Sequence, residues 1–261
     1  MDYERQRRRQ KRYREAMRNR IIAAVLLAGI IVGAIFIIKG CKKDGAPADS
    51  DLPVDQGADN SGDTAAPDDG VVVDDALLTL VNPWNPLPEN WTADIVTRSD
   101  GYKVDSRCAE ALDEMLAACR AAGYDPLICS AYRTQETQQS LFDNKVQRLI
   151  SDGMSETDAK VEAAKAVAIP GTSEHQLGLA VDIVDSTMQE LTDAQEDTGT
   201  QRWLMANSWR YGFIHRYPNG DTDITGIIYE PWHYRYVGKD AAQDIFNRDI
   251  TLEEYLGRAA H

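Results

Sequence analysis

Two short segments of this 261-residue chain hold residue types that can do chemistry together. Ser173-Glu174-His175-Gln176-Leu177-Gly178-Leu179-Ala180-Val181-Asp182 carries a histidine and a carboxylate. About fifty residues later, Glu230-Pro231-Trp232-His233 adds a second carboxylate and a second histidine. Two histidines and one carboxylate form the donor set of a catalytic zinc site, in which three protein ligands leave a fourth position for water. The remaining carboxylate is then free to act as a base.

Such residues need elements that bring them together. From Gly178 to Val184 small or acidic residues alternate with branched apolar ones, the pattern of a strand. One face would carry Leu179, Val181 and Ile183 and pack. The other would carry Gly178, Ala180 and Asp182, with the small residues leaving room for a metal and substrate. Ile227 to Val237 is rich in β-formers but is interrupted by Pro231, which has no backbone donor. Residues three apart in an unbroken strand point to opposite faces. Glu230 and His233 can therefore share a site only if the chain turns between them, and a bend at Pro231 is expected.

Ser-x-His-x-x-Gly-x-Ala-x-Asp followed by Glu-x-x-His resembles the pattern of VanY-type D-alanyl-D-alanine carboxypeptidases and related zinc D,D- and L,D-peptidases. Ser130-Ala131-Tyr132-Arg133-Thr134-Gln135-Glu136-Thr137-Gln138, and Trp209-Arg210-Tyr211-Gly212-Phe213-Ile214 through Arg216-Tyr217-Pro218, are similar to two further blocks of that family. The similarity runs from about Leu78 to Leu256. It implies one Zn²⁺ on His175, Asp182 and His233, with Glu230 as general base. It also implies Arg133 facing the oxyanion that develops on the scissile carbonyl, and substrate-holding roles for Ser173 and Gln138. Without the resemblance, Arg133 reads as a surface arginine after a strand, Gln138 as part of a solvated helix face and Ser173 as a turn or cap residue. His215 and His261 read as structural.

The order of elements predicts an α+β domain. A helix capped by Asp105 or Ser106 runs to about Ala122, with Ala111, Leu112, Met115, Leu116 and Cys119 as its apolar stripe. A strand follows over 126–131, then helices over 134–150 and from Ser155 to before Pro170. The loop at Pro170-Gly171 delivers His175, and a last helical region spans 193–211. The expectation is an antiparallel sheet with metal on one face and helices packed on the other. The resemblance implies the compact Hedgehog/D,D-peptidase-like fold. Cys108 and Cys119 lie about 16 Å apart on one helix and cannot bond. Cys119 and Cys129 flank a turn, and either form a disulfide or remain buried thiols.

The N-terminal third departs from the globular pattern. Residues 1–20 hold nine Lys/Arg and form a basic tail, and residues 21–38 are uncharged and long enough to span a bilayer. The charge asymmetry predicts a single-pass anchor with a cytoplasmic N-terminus. Lipidation at Cys41 is the alternative, disfavoured by Lys39. Residues 39–76 read as a disordered acidic linker, since no Lys or Arg occurs from Asp44 to Thr97. The catalytic domain is 77–261. The whole chain has a net charge of −14, and the part beyond the tail is more acidic still, which argues against nucleic acid as a partner.

These readings lead to a monomeric, membrane-anchored, extracytoplasmic bacterial carboxypeptidase that removes the terminal D-alanine of peptidoglycan stem peptides. The competing enzyme readings are an L,D-carboxypeptidase on tetrapeptide stems and a D-Ala-D-Ala dipeptidase. The dipeptidase is disfavoured by the anchor, because its substrate is cytoplasmic. A non-catalytic zinc domain that binds wall peptides is the alternative from another class. Glu230 and Arg133 speak against it, since a binder needs no base.

Overall fold

The computed structural model describes residues 76–258. The basic tail, the apolar stretch, the linker to residue 75, Cys41 and His261 lie outside the described residues. Among those described, no helix is long and apolar enough to cross a membrane.

A two-stranded ribbon, β1 (Ile95–Thr97) and β2 (Lys103–Asp105), leads into helix α1 (Ser106–Ala121). Asp105 is the cap: its carboxylate accepts from the Arg107 amide, satisfying a donor that the first helical turn leaves open. The predicted stripe is buried, with Cys108 added to it. Strand β3 (Pro126–Ser130) follows, then a hairpin of α2 (Gln135–Ser151) and α3 (Glu156–Ala166). Next come β4 (Ala180–Asp185), α4 (Gly199–Asn207), β5 (Phe213–Tyr217), a single turn α5 (Thr222–Thr225), β6 (Glu230–Tyr236), α6 (Lys239–Arg248) and α7 (Leu252–Tyr255).

The main sheet has the order β3-β4-β6-β5 and is antiparallel throughout. β4 and β6 are its central strands. Val181, Ile183, Phe213 and Tyr234 share a core with Leu112, Met115 and Leu116 of α1. Ile214 neighbours Phe213 and so points to the opposite face, where it packs with Ala241, Ala242, Ile245 and Leu252 of α6 and α7. Helices therefore cover both faces, and the metal-bearing face is not left to the site alone. The sequence pattern missed this because α6 and α7 follow the last strand.

Three further expectations are corrected, and one alternative left open is decided. Gly178 is not part of β4: it closes the turn before it in the left-handed region, at φ +79°. A Cβ there would stand 2.9 Å from Ile95 Cδ1 and 3.1 Å from the Asp105 amide nitrogen. That glycine serves the close approach of the β2–α1 junction, not clearance around the metal. The 193–211 region is not one helix. Thr198 has extended backbone and caps α4 through the Gln201 amide, so a 3-10 turn precedes it and another follows α4.

Glu230 does not stand on a bend outside the strand but begins β6. The step from His215 to Tyr217 on β5 matches the longer step from Tyr234 to Glu230 on β6. Pro231 lies in this bulge, where its missing N–H breaks no ladder bond. The chain thus achieves by a bulge what a turn was expected to do. Finally, Cys119 and Cys129 do not bond, and Cys108, Cys119 and Cys129 are free thiols. Ile128 shares the core with Cys119, whereas Cys129 sits in a bulge between Ile128 and Ser130 and places its Sγ 3.5 Å from the Asp182 carbonyl oxygen. Burial pushes the Cys129 thiol up to about 12.

Candidate active site

Asp182 and His233 are direct partners across the central β4–β6 pair, and residues so paired point to the same face. His175 arrives on a single 3-10 turn, Glu174–Leu177, anchored by the Gln176 side chain, which accepts from the Gly171 amide and donates to Gln135. The nitrogen and oxygen donors of His175, Asp182 and His233 all lie within 4.8 Å of one another, and all three residues are buried. His175 Nε2 is 3.2 Å from Asp182 Oδ2, and His233 Nδ1 is 3.1 Å from Asp182 Oδ1.

The hydrogen bonds on the far sides of the two rings decide whether this set fits a metal. His175 Nδ1 is 2.8 Å from the Ala131 carbonyl oxygen, and His233 Nε2 is 3.3 Å from Glu174 Oε2. An N–H donated to each acceptor leaves the lone pairs of His175 Nε2 and His233 Nδ1 directed at the common centre. The donors present therefore fit one zinc ion. Burial, aided by the Arg133 cation, pushes His175 down to about 4, so its ring is neutral at pH 7. Burial also disfavours a charge on His233, but hydrogen bonds to Asp182 and Glu174 outweigh it and raise the group to about 9, so zinc binding at Nδ1 would displace a proton from that nitrogen. Asp182 is buried too, yet His175, His233 and Arg133 hold it well below the usual carboxylate range.

Glu230 Oε2 stands 3.6 Å from His233 Nδ1. Burial raises its carboxyl to about 8, with Asp182 adding repulsion against the pull of His233 and Arg133. His215, half-buried and held down to about 4 by desolvation, fixes the Glu230 backbone with Nε2 3.1 Å from its carbonyl oxygen. This is the structural role expected of it.

Arg133 follows β3, and its Nη2 is 2.8 Å from Asp182 Oδ2 while Nε donates to Ser130 Oγ at 2.9 Å. Gln138 does not reach the cleft. It is fully buried, donates to the Ala168 carbonyl oxygen at 2.7 Å and offers Oε1 to Arg133 at 3.4 Å. Ser173 lines the cleft beside the donor set. The cleft measures about 360 Å³, with Leu191, Ile227, Ile228 and Trp232 as apolar lining and Lys145 and Arg148 of α2 on its wall.

Sequence reasoning gave no role to Glu174, Arg216, Arg235 and Glu253, which are buried with fully covered side chains behind His233. Arg235 had a signal: it sits two residues after His233 in a strand-forming run and so shares its face. Nor did sequence reasoning give a role to Tyr217, whose ring lies 4.7 Å from that of His233.

A buried His-Asp-His donor set with a further buried carboxylate beside it, at the base of an open cleft on an α+β scaffold, is the equipment of a mononuclear metallohydrolase. The family model "VanY: D-alanyl-D-alanine carboxypeptidase" matches residues 101–239, and the chain belongs to that family. A D-alanyl-D-alanine carboxypeptidase of Enterococcus faecalis is 46% identical over 181 residues, covering 69% of this chain and 65% of that protein. The chain thus spans just under two thirds of that relative's length.

Among solved structures, a VanY D,D-pentapeptidase from a VanB-type vancomycin resistance cassette, in complex with Zn(II), is 44% identical with a TM-score of 0.64. That match covers 69% of this chain and 99% of the other. The LdcB LD-carboxypeptidase is 38% identical with a TM-score of 0.61, covering 70% and 87%.

Proposed function

We propose that this chain is a zinc D,D-carboxypeptidase that hydrolyses the terminal D-Ala-D-Ala bond of peptidoglycan stem peptides. The observation that carries this reading is the placement of Glu230 3.6 Å from a ligand nitrogen of His233, in one cleft with Arg133. His175, Asp182 and His233 hold the ion. Zinc supplies Lewis acidity, which brings the pKa of a water toward neutrality and polarises the scissile carbonyl.

Glu230 takes the proton that the attacking water gives up and returns it to the departing amine as the C–N bond breaks. Burial raises this carboxyl, and a zinc cation on the neighbouring His233 would favour the ionised form that accepts the proton. Arg133 offers a permanent cation to the oxygen that becomes negative. Gln138 supports this from outside the cleft by holding the guanidinium, and Ser173 meets the substrate. Leu191, Ile227, Ile228 and Trp232 suit the methyl groups of a D-Ala-D-Ala end, and Lys145 and Arg148 suit carboxylates of the stem. The D,D reading is favoured over L,D by the higher identity and TM-score to the VanY structure.

We further place the catalytic domain, 77–261, outside the cell as a monomer. Residues 21–38 form the span, 1–20 the cytoplasmic tail and 39–76 the tether, supported by nine basic residues ahead of an uncharged stretch.

The test is to incubate the full chain with pentapeptide and tetrapeptide stems. D-alanine is expected from the pentapeptide, lost on chelation and restored by zinc. Glu230→Gln is expected to slow release by roughly 10²–10⁴-fold without loss of fold. Release from neither stem would sink the carboxypeptidase reading, and chelator-resistant release would sink the metal mechanism. Wild-type activity in Glu230→Gln would remove the base.

A further inference from the structure

Behind His233 lies a closed set of four charged side chains with no solvent exposure. Glu174 Oε1 accepts from Arg216 Nε at 2.7 Å and from Arg235 Nη1 at 3.0 Å. Arg216 turns its other two nitrogens to Glu253 of α7, at 3.0 and 2.6 Å, in a bidentate fork. Arg235 Nη2 donates to the Leu77 and Thr79 carbonyl oxygens, and Asn82 Nδ2 donates to Glu253 Oε1 at 3.0 Å.

Two features argue that this cluster does more than stabilise. Buried ion pairs seldom return more than their desolvation costs, so stability alone is a weak reason for four buried charges. The bonds are also divided unevenly. Both arginines hold Oε1 of Glu174, which leaves Oε2 to face His233 Nε2 at 3.3 Å.

We propose that Glu253 and Arg216 are positioning residues for the metal centre: they fix the Glu174 carboxylate so that it accepts the hydrogen bond of His233 Nε2–H and leaves the Nδ1 lone pair for the metal. The last helix and the 77–82 segment thereby brace a ligand that neither touches. This rests on the three-ligand reading of the site and not on the substrate, and zinc affinity measured without substrate tests it separately.

The decisive variant is Glu174→Gln. Its amide oxygen can stay with the two arginines, which turns the NH₂ group toward His233 Nε2. The imidazole must then carry its proton on Nδ1, the nitrogen that the metal needs. Zinc affinity, read by competition with a chelating dye on the full chain, is expected to fall 10–100-fold, the range typical of lost outer-shell partners. Glu253→Gln is expected to fall by about threefold to tenfold, and Asn82→Ala by less than Glu253→Gln.

Leu252→Ala is the control. It thins the same helix without touching the charges, and its zinc affinity should match the wild type even where its melting temperature falls as far as that of Glu253→Gln. If Leu252→Ala loses zinc equally at matched stability, the cluster is structural only and the proposal fails. Wild-type zinc affinity in Glu174→Gln overturns it as well. Should Glu174→Gln not fold, the order of Glu253→Gln, Asn82→Ala and Leu252→Ala decides in its place.

Discussion

Helix α1 lays Cys108, Ala111, Leu112, Met115, Leu116 and Cys119 against the sheet, all buried, within sixteen residues. The α2–α3 hairpin is packed quite differently: seventeen residues of α2 bury only Gln138 and Val146, and α3 buries only Ala159 and Ala163. Both regions serve the donor set, α1 through the core it shares with the strands and the hairpin through the cleft it lines. α1 supports the apolar face of β4 and β6, whose register sets Asp182 opposite His233. The hairpin supplies Leu141, Lys145, Arg148 and Ala166 to the cleft wall. Metal geometry tolerates errors of only a few tenths of an ångström and so belongs on the well-packed side. A wall that meets substrate can be built from elements of low local stability.

The largest effect expected from this contrast is a stability difference. Leu112→Ala removes a fully buried side chain from the main core and should lower unfolding free energy by about 2–5 kcal/mol in denaturant titrations. Turnover per folded molecule should stay near wild type. Val146→Ala, at the hairpin's small cluster, removes two methyl groups and should cost only about 1–2 kcal/mol. It should shift KM more than kcat. Equal costs at the two positions would mean that the hairpin is as firmly seated as α1, and the division into floor and wall would fall.

A smaller effect sharpens the picture of how α1 is fastened. Asp105 is fully buried and accepts from the Asp94 and Arg107 amides and from the Arg107 guanidinium. Burial raises its pKa, but the bonds from Arg107 and Asp94 prevail and hold it below the usual value. A carboxylate depressed in the folded state stabilises above its unfolded pKa, near 3.8, and that contribution is lost as pH falls through the folded value. Asp105→Asn should therefore cost about 1–2 kcal/mol at pH 7 and progressively less below pH 4. A penalty unchanged at pH 3 would show that the cap acts through hydrogen-bond geometry and not through charge.

Legibility in the sequence followed the same divide between local and distant causes. His175, Asp182, Glu230 and His233 were readable because metal chemistry restricts residue type and the strand alternation around Asp182 is short-range. The α1 stripe was readable for the same reason. Gly178 was misread because a left-handed glycine before a strand and a small residue within one look alike until the β2–α1 junction packs on it. The bulge at Pro231 was half-read: the need for a break followed from the three-residue spacing, but its form depends on pairing with β5. Glu174, Arg216 and Glu253 were invisible because their partners lie 42 and 37 residues away in sequence. No local pattern distinguishes a buried charge from a surface one.

The smallest predicted effect concerns the wall itself. Lys145 and Arg148 stand one turn apart on α2, on the face that also carries Leu141 to the cleft. The ordinary role of Arg148 is to sit in the last turn of the helix, where a cation favours the exposed carbonyls. Neither side chain forms a salt bridge with another described residue, in a chain whose net charge is −14. A solvent-facing contact from each to a substrate carboxylate is worth about 0.2–1 kcal/mol. Replacing both with glutamine should thus raise KM for an acidic stem peptide by roughly threefold to tenfold, leave kcat unchanged and flatten the salt dependence of kcat/KM. On a stem whose carboxylate is amidated, the same double variant should match the wild type. If KM fails to rise on the acidic stem, these cations serve the helix alone. If kcat falls with it, the hairpin reaches further into the chemistry than its thin packing implies.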